Sequence, residues 1–121
     1  MEDDSTTIKE LKDKVQKFCE ERDWDQFHNP KDLAIGVSTE ASELLDIFRF
    51  KGEEDIKEIM SDFNRRQKVG DEIADVIYFL LRFAQLNGFD LSAELDRKLK
   101  KNNQKYPVEK AKGSNKKYNE A

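Results

Sequence analysis

Apolar residues recur at spacings of three and four residues through most of this chain, which is the period of an α-helix and not of a β-strand. In the first such segment the apolar stripe consists of Ile8, Leu11, Val15 and Phe18. Proline occurs twice and glycine five times in 121 residues, so few positions break the pattern. The sequence therefore favours helices over a β-sandwich and suits a small bundle of amphipathic helices.

Capping residues predict where the first helices begin and end. Thr7 and Glu10 have the spacing of a capping box at the start of the first helix. Asn29 precedes Pro30, and proline is well tolerated in a first helical turn, so the second helix is expected to begin there. Gly52 is a plausible end for this second helix.

Further helices are expected after Gly52. A short helix is predicted over residues 53–60, and a broadly apolar helix, expected to be central and buried, ends at Gly88. Asp90 or Ser92 can cap a last helix that runs towards Asn102.

Positive charge is concentrated near the C-terminus. The range from Arg97 to Lys117 holds nine Lys or Arg against one acid, whereas the whole chain has a net charge of −4. Regular apolar spacing ends at Tyr106, so we predict a domain over residues 1–106 and a basic, loosely structured tail over residues 107–121. The basic stretch could contact nucleic acid, supply cations to a phosphorylated small molecule, or remain solvated.

Several features favour a cytoplasmic protein without a membrane partner. No apolar run approaches the roughly 20 residues of a membrane-spanning helix, and residues 1–4 are acidic and lack the apolar segment of a signal peptide. Cys19 is the single cysteine, so no intrachain disulfide is expected, and its place in an apolar stripe favours a buried side chain.

Four carboxylates form two pairs with a spacing of three, each inside a segment of helical apolar period. Glu40 and Glu43 are one pair, and Glu72 and Asp75 are the other. Because residues three apart share a helix face, two packed helices would bring four acids into one partly buried space. Buried like charges are unfavourable unless a cation compensates them. Carboxylate oxygens suit hard divalent cations, which indicates Mg²⁺ or, as a substitute, Mn²⁺.

Iron and zinc sites fit these acids less well. Di-iron helical bundles use a Glu-x-x-His pattern, and the single histidine, His28, lies outside both acidic segments. Structural zinc requires a set of cysteines that the chain lacks. The alternative to a metal site is that these four acids lie on ordinary solvated helix faces. Mg²⁺ is commonly completed by substrate phosphates, which would link the acids to the basic stretch.

The four acids also resemble a family pattern. Glu40-x-x-Glu43, 28 intervening residues and Glu72-x-x-Asp75 are similar to the metal-binding pattern of MazG-like nucleoside triphosphate pyrophosphohydrolases, and most similar to the branch that contains dCTP pyrophosphatases. The resemblance covers residues 18–118. It is also carried by the segments Glu21–Pro30, Asp90–Leu91, and Lys98-x-x-x-Asn102-x-x-x-Tyr106-Pro107-Val108-Glu109-Lys110.

The resemblance implies an all-α fold built on a four-helix core, which forms a MazG-like catalytic domain. It also implies that Glu40, Glu43, Glu72 and Asp75 bind Mg²⁺. It implies hydrolysis of an NTP or dNTP, here a pyrimidine dNTP such as dCTP, to the monophosphate and pyrophosphate, in nucleotide pool housekeeping. It also implies a homodimer or homotetramer. Glu40 and Glu43 are the first candidates for the general base.

Six residues are expected to contact the substrate: Trp24, His28, Phe50, Phe79, Lys98 and Asn102. By resemblance, Lys98 and Asn102 contact phosphate or sugar, and Trp24 lies near the base. Trp24 and His28 could instead belong to a loop that is simply pinned on the core.

The base pocket differs from the family pattern. Phe50 stands where the family often has tryptophan, Phe79 stands where it often has tyrosine, and Val15 falls near a base-pocket histidine of some members. Two other functions are compatible with the sequence: a non-catalytic helical adaptor, and a nucleic-acid-binding module that uses the basic stretch, against which the acidic body argues.

Overall fold

Six α-helices and two short 3₁₀ helices form the secondary structure of the computed structural model, which describes residues 1–120. The 3₁₀ helices span Asp3–Ser5 and Asp25–Phe27. No strand occurs in these residues, so the predicted all-α class is confirmed. The α-helices are α1 (Ile8–Glu20), α2 (Pro30–Phe48), α3 (Glu53–Ser61), α4 (Phe63–Asn87), α5 (Leu91–Lys105) and α6 (Val108–Ala111).

The helix starts that the capping residues predict are confirmed. The hydroxyl of Thr7 accepts a hydrogen bond from the backbone N–H of Glu10 at 3.1 Å, and the Glu10 carboxylate accepts one from the Thr7 N–H at 3.2 Å. The side chain of Asn29 caps α2, and that of Asp90 caps α5. Gly88 follows α4 with a left-handed φ of 73°, a conformation that glycine adopts without steric cost.

The expected end of α2 at Gly52 is wrong. The helix ends at Phe48, because Arg49 adopts an extended ψ of 142° and Phe50 has a positive φ of 64°. Gly52 is instead the N-cap residue of α3. The break therefore comes from the backbone of two non-glycine residues, which the sequence pattern does not reveal.

The chain divides into two compact units, Met1–Gly88 and the residues from Phe89 onward. In the first unit α4 is the central helix and packs against α1, α2 and α3. The core of the described chain takes one buried apolar residue from each of α1, α2 and α3 and three from α4: Cys19, Leu33, Ile59, Val69, Leu81 and Ala84. The burial expected for Cys19 is confirmed.

The second unit contains α5, α6 and the turns that follow. Residues Val108–Ala111, which fall in the predicted basic tail, form a short helix. The predicted division into a domain over 1–106 and a tail over 107–121 stays a prediction. No helix among residues 1–120 combines the length and apolar character needed to cross a bilayer.

Gly36 lets α2 and α4 approach closely. A Cβ atom built on Gly36 would lie 2.5 Å from Cε1 of Phe79, well inside van der Waals contact. Gly36→Ala is therefore expected to displace the Phe79 ring and to lower the free energy of unfolding by about 1–3 kcal/mol, as overpacking does. Gly70→Ala is the matched control, because its Cβ would meet only a flexible Gln67 amide at 3.4 Å.

Urea denaturation measures the free energy of unfolding of both variants and of wild type. The control should be neutral or stabilised by about 0.5–1 kcal/mol, since alanine favours a helix interior over glycine. Equal stability of Gly36→Ala and wild type would show that the Phe79 ring is not wedged against α2.

Candidate functional site

The packing of α2 against α4 brings the two acidic pairs together. One oxygen from each of Glu40, Glu43 and Glu72 lies within 4.8 Å of the others. Glu40 and Glu72 are partly buried, whereas Glu43 is exposed. Asp75 follows Glu72 by three residues on α4 and lines the adjoining cavity together with Glu40. The predicted clustering of the acids is therefore present in the fold, with three at its centre and Asp75 beside them.

Two oxygens of this cluster lack any hydrogen-bond partner. Oε2 of Glu40 and Oε2 of Glu72 are buried, and they are the buried side-chain polar atoms without a partner among residues 1–120. Leaving a buried polar atom unsatisfied costs about 1–3 kcal/mol, more for a charged group. Such atoms are expected where a partner binds. An all-carboxylate set of this kind fits a hard divalent cation such as Mg²⁺ or Mn²⁺.

The crowding of the acids changes their protonation. Burial, followed by the adjacent Glu43 carboxylate, raises the pKa of Glu40 to about 7. Burial also raises the pKa of Glu72, and the charges of Glu43 and Asp75 act in the same direction. In the absence of a cation, Glu40 therefore holds a proton close to neutral pH.

The stability of the metal-free protein is expected to depend on pH through Glu40. Its pKa is raised in the folded state from 4.5 to about 7, so its contribution to stability is complete below pH 4.5 and is lost as pH rises through about 7. Urea denaturation in EDTA across this range, compared between wild type and Glu40→Gln, isolates the contribution. The variant should lose less stability than wild type on going from pH 4.5 to 8; parallel curves would contradict the assignment.

A cavity of about 630 Å³ opens beside the carboxylates, within the size range of small-molecule sites. Trp24 and Phe79, two of the predicted substrate contacts, line it together with Glu40 and Asp75. The fold thus brings predicted base contacts and predicted metal ligands into one space. The complete lining is Lys14, Val15, Phe18, Trp24, Glu40, Ala74, Asp75, Tyr78 and Phe79.

Aromatic rings form a continuous wall of this cavity. Phe18 makes edge-to-face contacts with Trp24 at 5.6 Å and with Tyr78 at 6.0 Å between ring centroids. Tyr78 in turn contacts Phe79 at 5.0 Å, and its hydroxyl lies 3.1 Å from the sulfur of Cys19. Burial raises the pKa of Tyr78, so its hydroxyl stays protonated. Sequence reasoning missed Tyr78 and assigned Phe18 only to the core stripe.

A family model described as MazG-like matches residues 35–120, which include all four carboxylates. This chain belongs to the MazG-like family. The family predicted from the acidic pattern is thereby confirmed, and the match covers well over half of the sequence.

Named relatives of this MazG-like chain are similar over most of its length. The dCTP pyrophosphatase 1 proteins of rat and mouse are 30% identical to it over 112 residues, which are 93% of this chain and 66% of each relative. The MazG-like chain therefore spans about two-thirds of the length of these curated relatives. A crystal structure of a pyrophosphatase from Archaeoglobus fulgidus is 35% identical, with a TM-score of 0.76, and the alignment covers 83% of this chain and 92% of that one.

The MazG-like chain holds its Trp24 loop through a buried arginine that sequence reasoning also missed. Arg82 on α4 is 0% exposed. Its Nε donates to Nδ1 of His28 at 3.0 Å, its Nη2 pairs with the carboxylate of Asp25, and its Nη1 donates to Gln85. Burial, and then the Arg82 charge, lower the pKa of His28. His28 does not line the cavity but contacts the Trp24 ring edge-to-face at 6.5 Å.

Three further residues were predicted to contact the substrate: Phe50, Lys98 and Asn102. Phe50 is 91% exposed, stacks under the guanidinium of Arg49 at 4.6 Å, and does not line the cavity. Lys98 and Asn102 lie on α5, in the second unit, one helical turn apart. The substrate roles of all three residues stay predictions.

Proposed function

We propose that this chain is a Mg²⁺-dependent pyrophosphohydrolase that cleaves a nucleoside triphosphate, specifically a pyrimidine dNTP such as dCTP, to the monophosphate and pyrophosphate. One observation carries the proposal: Glu40 and Glu72 each have a buried oxygen without a partner, and both cluster with a third carboxylate, Glu43, beside an aromatic cavity. The names of the similar proteins, dCTP pyrophosphatase 1 and pyrophosphatase, support this reaction class. Such an activity would serve nucleotide pool housekeeping in the cytoplasm.

The four acids Glu40, Glu43, Glu72 and Asp75 are proposed to hold the metal. Bound there, Mg²⁺, or Mn²⁺ in its place, would offset the charge of the triphosphate and polarise its phosphoryl oxygens. The carboxylates then have two tasks, because a group that is not fully used as a ligand can also accept a proton.

The hydrolysis itself needs one water and one base. A water oxygen forms a bond to the α-phosphorus, the anhydride bond to the β-phosphoryl oxygen breaks, and pyrophosphate leaves with the bonding electrons. Glu43 is the exposed one of the three acids at the centre of the cluster and can take the proton from that water. Glu40, with a pKa of about 7, is the other candidate for this role.

The cavity supplies a place for the base and sugar. Trp24, Phe18 and Phe79 offer aromatic faces and edges against which a base can pack. Lys14 is the basic residue in the lining, so it is placed to meet an anionic or carbonyl group of the substrate. Lys98 and Asn102 are proposed, from the family resemblance, to contact phosphate or sugar.

An apolar stripe on α4 supports the proposed homodimer or homotetramer. Ile73, Ile77 and Leu80 lie at spacings of four and three, yet they are 54%, 42% and 43% exposed. Exposed apolar patches of this kind mark protein interaction surfaces. A second copy of the chain is the partner we propose for this stripe.

A panel of NTPs and dNTPs with Mg²⁺, scored for pyrophosphate against orthophosphate, tests the proposed function. We expect release of pyrophosphate with the matching monophosphate, highest activity on a pyrimidine dNTP, and no turnover in EDTA. Release of orthophosphate alone, or equal activity with and without EDTA, would exclude the proposed reaction.

A further inference from the structure

The second unit contains a cavity of about 640 Å³ that is separate in sequence from the carboxylates. It is bounded by the C-terminal end of α5, by α6 and by the turns that follow. None of its described lining residues is acidic. The residues that matter for its chemistry are Lys105, Tyr106, Lys110, Lys116, Lys117 and Tyr118.

Local structure folds the chain back to make this cavity. Pro107 precedes α6, and Gly113 has a positive φ of 78°, which permits a tight reversal after the helix. The N–H of Ser114 donates to the carbonyl of Ala111 at 3.0 Å within this reversal. As a result the ring of Tyr118 meets that of Tyr106 edge-to-face, with centroids 6.1 Å apart.

The same reversal gathers like charges. The ammonium of Lys105 lies 5.1 Å from the centroid of the Tyr118 ring, and Lys110, Lys116 and Lys117 line the same space. None of these four lysines forms an ion pair with a side chain of residues 1–120. Glu120, an acid close by in sequence, accepts a hydrogen bond from the backbone N–H of Lys117.

Four lysines around one cavity, without an ion pair to any side chain of residues 1–120, raise the local positive potential. A freely solvated run of like charges repels itself and spreads apart, whereas here the turn concentrates the charges. An anion bound in the cavity would remove that repulsion. Lysine ammonium groups are common phosphate ligands, and the cavity volume suits a small molecule.

We propose that this C-terminal lysine cavity binds a polyphosphate. The ligand is either inorganic pyrophosphate or the phosphate chain of a nucleotide, whose base could then pack on Tyr106 or Tyr118. The proposal concerns binding and does not depend on the proposed hydrolysis. It is therefore testable under conditions in which the carboxylate cluster holds no metal.

Isothermal titration of the full-length chain with inorganic pyrophosphate in EDTA tests the proposal. Wild type should bind, and the double variant Lys110→Gln/Lys117→Gln should bind at least about tenfold more weakly, as loss of charge-assisted contacts predicts. Lys101→Gln is the matched control, because this lysine is exposed on α5 and does not line the cavity. The control and Glu43→Gln should bind like wild type.

A second titration with a non-hydrolysable α,β-imido dCTP separates the two sources of polyphosphate. Tighter binding than pyrophosphate, lost in Tyr118→Ala, identifies a nucleotide, and equal affinities identify the phosphate groups alone. The proposal is overturned if pyrophosphate does not bind, or if Lys101→Gln weakens binding as much as the double variant. It is also overturned if a single-stranded oligonucleotide binds more tightly than both, because the basic stretch would then be a nucleic-acid surface.

Discussion

Glu40→Gln is expected to abolish pyrophosphate release while raising the melting temperature of the metal-free protein. Activity should fall by at least about 100-fold, since even residues that only support metal ligands change activity by factors of this order. Above pH 7, where Glu40 is mostly ionised, stability should rise because the substitution removes a buried charge whose Oε2 has no hydrogen-bond partner. An amide at this position can also donate to the neighbouring Glu43 and Glu72 carboxylates, which lie within 4.8 Å.

Glu43→Gln provides the matched comparison, because Glu43 belongs to the same cluster but is exposed. It should lose activity with little change in melting temperature, while Glu58→Gln, an exposed acid on α3, should change neither. Steady-state assays and thermal melts in EDTA measure both effects. A Glu40→Gln protein that is less stable than wild type in EDTA would show that the cluster is not under electrostatic strain.

Asp25→Ala is expected to lower the free energy of unfolding by about 3 kcal/mol. The reason is that Arg82 is completely buried, and the carboxylate of Asp25 is the anion that compensates its charge. Breaking a buried ion pair by removing one partner typically costs about 3–5 kcal/mol, because an uncompensated charge remains. Because Asp25 itself is 51% exposed, we expect a loss at the lower end of this range.

The double variant Asp25→Ala/Arg82→Met tests whether the loss of stability comes from the uncompensated Arg82 charge. Removing the charge and its partner together should restore part of the stability lost in Asp25→Ala, as apolar replacement of buried ion pairs does. Asp46→Ala is the control, because Asp46 and Arg49 form an exposed pair at 3.5 Å that should contribute about 0–1 kcal/mol. Urea denaturation measures the free energy of unfolding of each variant. A double variant that is less stable than Asp25→Ala would contradict the proposed role of Asp25.

Local signals in the sequence predicted most of the helical framework. Capping residues such as Thr7 and Asn29 act within three residues of their partners, so their hydrogen bonds follow from spacing alone. The clustering of Glu40, Glu43 and Glu72 could also be predicted from the sequence. Acids at helical spacing on the apolar stripes of two segments are expected to meet where the two helices pack. In both cases a short-range pattern determines the geometry.

The parts that were missed depend on long-range packing or on backbone conformation. Arg82 meets His28 and Asp25 across 54 and 57 residues of sequence, and an arginine in a helix is ordinarily read as a solvated charge. The positive φ of 64° at Phe50, which follows the early end of α2, is a backbone feature. The substrate role of Phe50 stays a prediction. Neither feature can be predicted from the spacing of residues in the sequence.

The most direct test of the acidic cluster is the melting temperature at pH 7.5 with Mg²⁺ and with EDTA, for wild type and Glu72→Gln. Glu72 is chosen because its Oε2 is buried without a partner and a divalent cation would supply one. If the four acids form a cation site, Mg²⁺ raises the melting temperature of wild type and raises that of Glu72→Gln much less. Identical wild-type melting in Mg²⁺ and in EDTA would contradict a cation site at these carboxylates.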